Sequence, residues 1–481
     1  MAKILFLQNQ WSQYLGVMYI SALLKSHGHR CELTISNNIN KIIKELDSIQ
    51  PDIVAFPAMT GMHRWVLETA KNIKQKSKDV LTVIGGHHPT YFPQVIEDDG
   101  VDVICRGEGE YPMVDLANAV DNKNEIRNIP NLWVKQKSDI YKNDLRPLVQ
   151  NLDELPFCDR DIYSKYSIFR YETTRMFITS RGCPFSCSYC YNQKLQELYK
   201  GKGKYLRRRS TENIIGEIKQ VKNSHNLNTV YFMDDTFTFD KNWVLEFLKK
   251  YKSEVNMPFI CLGTANHLKD EELVKGLKEA NCYSVFFGIE SGNEKTRKGI
   301  LNKKISDEEI VQSAKNLKKY KIKFRTYNMV GLPEETIEDV YKTIDLNIKI
   351  KTDFPWCSVF TPYYGTPLFD YAVKKGLLEK STSPDAFYSS FFGHSLIKQK
   401  DIDEITNIQR FFQTAVLFPV LLPLVRKIVK LPTNIFFTLW FGLIYFFVFI
   451  RSEKRNLFWT ALYTIRNAQF FLEKKTKRLK P

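Results

Sequence analysis

Three cysteines stand close together in the middle of the chain, and their spacing is typical of a metal site. Cys183, Cys187 and Cys190 lie within eight residues, whereas the other six cysteines are scattered. A structural zinc site usually takes four protein ligands, commonly as two separated pairs, and no second pair lies nearby. An iron–sulfur cluster is ordinarily held by four thiolates, so three would leave one iron open to a substrate or cofactor. The spacing therefore predicts a reactive iron–sulfur cluster, and a zinc or fortuitous group is the alternative.

The segments around the cysteines alternate between apolar runs and helical patterns from about residue 171 to residue 375. Six strand–helix units in series predict a partial (β/α)6 barrel, whose ligands bind at the carboxyl ends of the strands. Because the cysteines follow the first of these strands, we expect the barrel to hold them at that end. The predicted strands are Met176–Thr179, Thr229–Met233, Phe259–Leu262, Ser284–Ile289, Phe324–Val330 and Trp356–Phe360.

The pattern of residues 1–125 predicts a second α/β domain, which precedes the barrel. Residues 126–170 are polar and irregular, and we expect them to form a linker between the two domains. Apolar runs in the first domain alternate with helical patterns such as Ile39–Leu46, which indicates a doubly wound, Rossmann-like parallel sheet. Its ligand would bind at the carboxyl ends of the strands. No G-x-G-x-x-G motif opens the first helix, so a dinucleotide site is disfavoured. The predicted strands are Ile4–Leu7, Ile53–Phe56, Leu81–Ile84 and Val101–Cys105.

The cysteine motif resembles that of the radical S-adenosylmethionine (SAM) superfamily. The family signature is C-x3-C-x2-C with an aromatic residue before the last cysteine, and Tyr189 occupies that position. The resemblance implies a [4Fe–4S] cluster on the three cysteines whose open iron binds SAM. It also implies that reduction of the cluster cleaves SAM to methionine and a 5′-deoxyadenosyl radical, which takes a hydrogen atom from the substrate. The residues that the resemblance places around SAM are Tyr189, Asp234, Asp235, Glu290, Ser291, Lys303 and Gly331.

Several of these positions have a second interpretation. Asp234 and Asp235 stand where other branches of the family carry a Gly-Gly-Glu motif that meets the SAM amino group, and an acidic pair could accept the same hydrogen bonds. Either aspartate could instead cap the helix that follows. Glu290 could be a surface carboxylate, and Lys303 could be one of many solvated lysines.

The first domain resembles the cobalamin-binding domain that precedes the barrel in one large branch of the superfamily. Its loops Gly85–Thr90 and Cys105–Glu110 match the pattern of that domain. The D-x-H-x-x-G motif, in which a histidine binds cobalt from below, is absent, so we expect no lower ligand from that motif. His87 and His88 are expected to lie near the corrin without binding cobalt. The residues that the resemblance places around cobalamin are Asn9, Gln10, Thr60, Gly61, Met62, Gly85, Gly86, His87, His88, Gly107, Glu108 and Gly109.

The last part of the chain, residues 376–481, is predicted to be helical and contains an apolar segment at 431–450. That segment has twenty residues without a charge, enough to cross about 30 Å of hydrocarbon as a helix. Residues 451–481 carry nine Lys or Arg against two Glu, and such basic flanks favour anionic headgroups. We therefore expect membrane association, either spanning or interfacial. The alternative is a core helix that packs on the barrel.

Bulk properties limit the compartment and the partners. The chain has 481 residues, a net charge of +17 and a strand pattern at its N-terminus where a signal peptide would lie, so we expect a cytoplasmic protein. Nucleic acid, anionic lipid and phosphorylated substrates would all suit the positive charge. No added RNA-binding domain is recognisable, which makes nucleic acid the less favoured partner.

The leading functional hypothesis from the sequence is methylation of an unactivated carbon by a cobalamin-dependent radical SAM methyltransferase. A carbon without a lone pair cannot attack SAM directly, so a substrate radical would take the methyl group from methylcobalamin. We expect a small-molecule or lipid-linked substrate and an external one-electron donor of the flavodoxin or ferredoxin type. One alternative is a radical cyclase or rearrangement enzyme acting on a lipid or porphyrin-like substrate. Another is a non-catalytic, membrane-attached cobalamin or redox sensor.

Overall fold

The computed structural model describes residues 1–388 and 390–471 of the chain. It contains two parallel sheets in series and a helical C-terminal region, which confirms the predicted α/β architecture. The end of the predicted basic tail, residues 472–481, lies outside the described residues.

The first sheet joins seven strands, which lie side by side in the order 2-1-3-4-5-6-7. Its first five strands are parallel, and the last two pair antiparallel. Helices cover both faces, so the central strands are buried apolar runs, as in other parallel sheets. The elements are β1 (Lys3–Gln8), α1 (Leu15–Ser26), β2 (Arg30–Ile35), α2 (Ile39–Ile49), β3 (Ile53–Pro57), α3 (His63–Lys76), β4 (Leu81–Gly85), α4 (His87–Tyr91), β5 (Val103–Cys105), α5 (Glu110–Asp121), β6 (Leu132–Gln136) and β7 (Asp139–Lys142).

Two parts of this sheet differ from the prediction. The strand β2 was not predicted because it is an edge strand, in which Arg30 and Glu32 interrupt the apolar pattern. The expectation of an irregular linker over 126–170 is wrong for β6 and β7, which extend the first sheet. These two strands are short, with Leu132 and Val134 buried and the residues between them partly exposed. Such a brief alternation resembles a loop when it is read from the sequence alone.

The second sheet is the predicted partial barrel. Six strands lie in the order 15-14-13-12-11-8, and all neighbours are parallel. Each predicted strand is present, with its ends shifted by at most a few residues. The elements are α6 (Ser167–Arg170), β8 (Thr174–Phe177), β9 (Ser180–Arg181), α7 (Tyr191–Leu198), β10 (Arg207–Arg208), α8 (Thr211–Ser224), β11 (Thr229–Phe232), α9 (Lys241–Glu254), β12 (Phe259–Gly263), α10 (Ala265–Leu268), α11 (Glu271–Glu279), β13 (Cys282–Glu290), α12 (Asp307–Lys319), β14 (Lys323–Val330), α13 (Ile337–Lys349), β15 (Phe354–Val359) and α14 (Pro367–Lys374).

Four helices complete the described chain: α15 (Ile402–Leu417), α16 (Leu422–Ile428), α17 (Ile435–Glu453) and α18 (Leu457–Phe471). Helix α15 packs on β15 and α13 through buried residues such as Ile408 and Phe412. The end of α17 enters the barrel from below, where the strands begin. There the Glu453 carboxylate lies 3.2 Å from the Arg325 guanidinium, and Thr174 Oγ1 donates to the Glu453 carbonyl at 2.9 Å.

Candidate active site

The cysteine loop leaves the first barrel strand at its carboxyl end and is fixed by residues from distant parts of the barrel. Gly182 has φ +92°, and a Cβ there would lie 2.6 Å from the Tyr205 carbonyl oxygen, so only glycine fits the turn. The Ser188 amide donates to the Leu301 carbonyl at 3.0 Å, and the Leu368 amide donates to the Ser188 carbonyl at 2.9 Å. The loop is therefore held in one conformation by the elements around it.

The three thiols are half-buried and share one environment. Burial raises the pKa of Cys190 to about 11, and the nearby Cys187 and Cys183 add to that shift. Among the residues that the structure describes, no three His, Cys, Asp or Glu side chains gather tightly enough for a single metal ion. An iron–sulfur cluster does not need the thiols to meet at one ion, because each thiolate binds a different iron.

Tyr189, Glu290 and Lys303 meet beside the cysteine loop. Lys303 Nζ lies 2.9 Å from Glu290 Oε1, to which the Tyr189 hydroxyl also donates at 3.1 Å. Burial opposes the charge on Lys303, yet Glu290 and the neighbouring Cys187 hold the pKa of the lysine above its usual value. Glu290 stands at an irregularity in β13 with φ +68°, and a Cβ on Gly288 would overlap its carboxylate. The cluster of polar groups is thus built into the strand end.

The two consecutive aspartates occupy different environments. Asp234 is 1% exposed, and its Oδ1 accepts from the Thr179 amide at 3.1 Å, from Thr179 Oγ1 at 2.8 Å and from the Ser180 hydroxyl. Burial raises the pKa of Asp234. Asp235 has an exposed residue surface and lies close enough to Cys183 and Cys190 to raise the pKa of both thiols. Partial burial raises the pKa of Asp235, and a hydrogen bond with Asn192 and the nearby His87 oppose that rise. Only Asp235 is therefore exposed to a ligand, while Asp234 ties β11 to the end of β8.

Two further predicted positions, Ser291 and Gly331, lie at the ends of β13 and β14. Ser291 is fully buried, and its carbonyl accepts from Arg297 at 2.6 Å. Gly331 has φ +78°, and its amide donates to Glu335 at 2.6 Å. Glu335 was not predicted as a site residue, although it follows Gly331 by only four residues. Burial raises the pKa of Glu335 to about 8.

At the carboxyl ends of β3 and β4, two imidazole rings pack together. The rings of His63 and His88 stack with centroids 4.0 Å apart, and His88 Nδ1 lies 3.2 Å from Thr60 Oγ1. Burial lowers the pKa of His88 to about 3, so this ring is neutral. His63 Nε2 lies 2.9 Å from Asp385, which comes from the C-terminal region. His63 was not predicted as a site residue, although it directly follows the predicted loop 60–62.

The loop after β5 contacts the barrel. A Cβ on Gly107 would overlap the Tyr199 hydroxyl, which also accepts from the Glu108 amide at 2.9 Å. The Glu108 carboxylate lies 2.9 Å from Arg181 and from Arg207. These arginines hold the pKa of Glu108 below its usual value despite burial. Glu108 is thus part of an ion-pair network that joins the two domains next to the cysteine loop.

The remaining predicted residues of the first domain line the same edge of its sheet. Tyr14 donates to Gln10 Oε1 at 2.7 Å, and Gly61 donates its amide to His63 Nδ1 at 3.2 Å. Gly86 has φ +99°, and a Cβ there would lie 2.9 Å from the carbonyl oxygen of Ala58, in the loop after β3. The others stand at the ends of strands or the starts of helices: Asn9, Met62, Gly85 and Gly109.

The strand-end loops of the two domains face each other. The rings of Tyr91 and Tyr191 stack with centroids 4.1 Å apart and an interplanar angle of 7°, and the Tyr91 hydroxyl donates to the Tyr191 carbonyl at 3.2 Å. Tyr191 directly follows Cys190. His87, from the first domain, is close enough to Asp235 for the aspartate to oppose the lowering of the histidine's pKa by burial. The two ligand edges therefore lie against each other.

Comparisons with known proteins agree with this geometry. The family model of the B12 binding domain matches residues 12–117, and that of the radical SAM superfamily matches residues 177–346. The "Uncharacterized methyltransferase PH0819" of Pyrococcus horikoshii is 31% identical over 378 residues, which cover 76% of this chain and 79% of that protein. The chain belongs to the cobalamin-binding branch of the radical SAM superfamily. It is a radical SAM enzyme of the methyltransferase type, and its cofactors are a [4Fe–4S] cluster, SAM and cobalamin.

Two other similar proteins show the range of this branch. The anaerobic magnesium-protoporphyrin IX monomethyl ester cyclase of Cereibacter sphaeroides is 27% identical over 73% of this chain and 59% of the cyclase. The solved structure of the cobalamin-dependent SAM radical enzyme OxsB, with aqua-cobalamin and SAM bound, superposes with a TM-score of 0.69. That match covers 99% of this chain and 76% of OxsB at 16% identity, so it shows a shared fold.

The residues present fit these cofactors. The cysteine loop offers three thiols and, among the described residues, no fourth cysteine of the motif, which suits a cluster with one open iron. On the first domain, Gly86 has no side chain and packs its backbone against Ala58, which holds the loops after β3 and β4 close together at the edge where a corrin would bind. Beside the thiols, the exposed Asp235 and the partly buried Lys303 offer opposite charges to the amino and carboxylate groups of an amino acid.

Proposed function

We propose that this radical SAM enzyme transfers a methyl group to an unactivated carbon in the space between its two domains. The observation that carries the proposal is the stacking of Tyr91 on Tyr191, which sets the edge of the cobalamin-binding sheet against the cysteine loop. When bound, the cluster and SAM supply a 5′-deoxyadenosyl radical, and cobalamin supplies a transferable methyl group. A substrate that enters this space would meet both groups at once.

In this proposal the barrel residues bind and orient SAM. Asp235 accepts hydrogen bonds from its amino group, and Lys303 pairs with its carboxylate while Glu290 fixes the lysine at 2.9 Å. Ser291 and Gly331 shape the backbone around the ribose and the adenine. Tyr189 supports Glu290, and Asp234 acts only by positioning, because it holds the strand end that leads into the cysteine loop.

In the first domain, too, some predicted residues would contact cobalamin directly and others would only position them. Loop residues on the strand ends of the first domain would lie against the corrin, with His87 toward the barrel. Glu108 and Gly107 would act indirectly, since their neighbours are Arg181 and Tyr199. The proposed corrin-facing residues are Asn9, Gln10, Thr60, Gly61, Met62, Gly85, Gly86, His87, His88 and Gly109.

We further propose the following domain bounds, electron donor, substrate class and location. The cobalamin-binding domain covers residues 1–125 together with β6 and β7, the barrel covers 171–375, and the helical region covers 376–481. The electron comes from a flavodoxin or ferredoxin in the cytoplasm. The substrate is a small or lipid-linked molecule, and the helical region associates with a membrane.

The test is anaerobic reconstitution with reductant, SAM and cobalamin, followed by mass spectrometry. Methyl transfer predicts 5′-deoxyadenosine, S-adenosylhomocysteine and a product heavier by one methylene unit. A cyclase, which the Cereibacter relative favours as the second candidate, predicts 5′-deoxyadenosine without a gain of carbon. Cobalamin binding without any cleavage of SAM would contradict both methyl transfer and cyclisation, and it would favour a non-catalytic cobalamin sensor. The matched control is the Cys183→Ala variant, which should yield no 5′-deoxyadenosine.

A further inference from the structure

Helix α17 has two apolar faces of different character. One face packs on the body of the protein along the whole length of the helix. The opposite face is exposed, although nearly all its residues are large and apolar. The packed residues are Phe437, Phe441, Tyr445, Val448 and Ser452. The exposed residues, 75% to 39% open to solvent, are Phe436, Leu439, Ile435, Phe447, Leu443 and Trp440.

The exposed face continues onto the neighbouring helices. Leu424 of α16 is 53% exposed, and the turn before α16 leaves Val420 85% exposed. On the other side, α18 contacts α17 and exposes Phe458 and Ile465. Soluble proteins rarely expose a contiguous apolar surface of this extent, and such patches mark sites of interaction.

The charges around this surface are of one sign. Exposed basic residues border it on both ends of α17, among them Lys427, Lys430, Arg451 and Lys454. Glu453 is the only acidic residue between positions 405 and 471, and it is buried against Arg325 and Arg455. A second copy of the chain would bring two basic rims together across a two-fold axis, which like charges oppose. An anionic surface is complementary instead.

We propose that this face, defined by the exposed residues of α16, α17 and α18, inserts in the plane of an anionic phospholipid bilayer without crossing it. The packed side of α17 runs from Phe437 to Glu453, whose carboxylate is paired with Arg325 inside the barrel. The folded protein therefore contacts α17 along its whole length, so the helix cannot span a bilayer while the barrel stays folded. The exposed apolar side chains would lie among the acyl chains, and the basic rim among the headgroups.

This inference deepens the proposed membrane association and is independent of the methyl transfer. Its test is flotation of the full-length, reconstituted protein with vesicles of phosphatidylcholine alone or of an equimolar mixture with phosphatidylglycerol. The variant Phe436→Glu/Leu443→Glu places two charges on the exposed face without touching the packed one. The control variant Gln220→Glu/Asn223→Glu makes the same charge change on exposed positions of α8.

We expect the wild type and the control to float with the mixed vesicles and far less with phosphatidylcholine. The Phe436→Glu/Leu443→Glu variant should lose about a hundredfold in partition, since each transferred side chain contributes about a factor of ten. Alkaline carbonate should release the bound wild type. Equal flotation of the variant, or resistance to carbonate, would overturn the proposal, the latter in favour of a spanning helix.

Light scattering tests whether a second copy of the chain, rather than a bilayer, covers the exposed face. If the wild type is a dimer that the face variant converts to a monomer, and neither floats, then a second copy covers the surface and the proposal is wrong. Cleavage of SAM to 5′-deoxyadenosine is measured on the same samples. Its loss with unchanged flotation would refute the proposed function alone.

Discussion

Substitutions at the two consecutive aspartates should have different effects, because Asp234 stabilises the fold and Asp235 faces the ligand. All three hydrogen bonds to Asp234 end on Oδ1, and Oδ2 is buried without a partner. In the variant Asp234→Asn, the amide carbonyl could replace Oδ1 and accept the same bonds. We therefore expect Asp234→Asn to change stability by less than about 1 kcal/mol, whereas Asp234→Ala removes all three bonds and leaves their donors buried.

The magnitudes follow from this count. At about 1 kcal/mol for each lost hydrogen bond, Asp234→Ala should cost about 3 kcal/mol and lower the melting temperature by roughly 6–12 °C for a domain of this size. The Asp235 side chain is exposed and its side-chain hydrogen bond is to the partly buried Asn192, so Asp235→Asn should lower the melting temperature far less than Asp234→Ala. That variant should weaken SAM binding by about 10- to 100-fold, the value of a hydrogen bond to a charged group.

The assay is paired for each variant: a thermal melt of the anaerobic, reconstituted protein and the SAM dissociation constant by equilibrium dialysis. Asp234→Asn serves as the matched control for Asp234→Ala. If Asp235→Asn lowered the melting temperature as far as Asp234→Ala and bound SAM normally, the division of roles between the two aspartates would be refuted. A stable Asp234→Ala variant would refute the estimate from the three hydrogen bonds.

Replacing all three motif cysteines by alanine should abolish the bound iron and sulfide; unchanged contents would contradict the cluster assignment. The pKa of Glu335 is raised from 4.5 to about 8, so the wild type should lose stability as pH rises through that interval, and Glu335→Gln should flatten the melting profile against pH. Glu334→Gln is the control, since its carboxylate is exposed and its pKa is lowered. Electron paramagnetic resonance of the cob(II)alamin form should show no splitting from an axial nitrogen, and a nitrogen triplet would implicate His87 or His88.

The sequence predicted the six barrel strands because each is a buried, nearly continuous apolar run, and it predicted the cysteine loop because the motif is local. It missed β2 and the β6–β7 hairpin, whose polar residues reflect positions at the edge of the sheet. Pairings between distant residues, such as Tyr91 with Tyr191 or His63 with Asp385, leave no local pattern, so periodicity could not predict them.

The roles of individual site residues were predicted less well than the site itself. Adjacent residues such as Asp234 and Asp235 look equivalent in the sequence, but the backbone at the end of β11 turns one inward and the other outward. Glu108 was expected beside the corrin, and its ion pairs with Arg181 and Arg207 depend on a domain contact that the sequence does not record.

The buried pair between Arg325 and Glu453 makes the C-terminal region inseparable from the barrel. Deleting α17 would leave the Arg325 guanidinium inside the barrel, among Phe286, Trp356 and Tyr327, without its carboxylate. Removing one partner of a buried ion pair costs about 3–5 kcal/mol. A chain truncated before α17 would therefore be destabilised and would not represent the intact enzyme without its membrane contact. A comparison of the membrane-bound with the free protein has to use substitutions at the exposed face of α17.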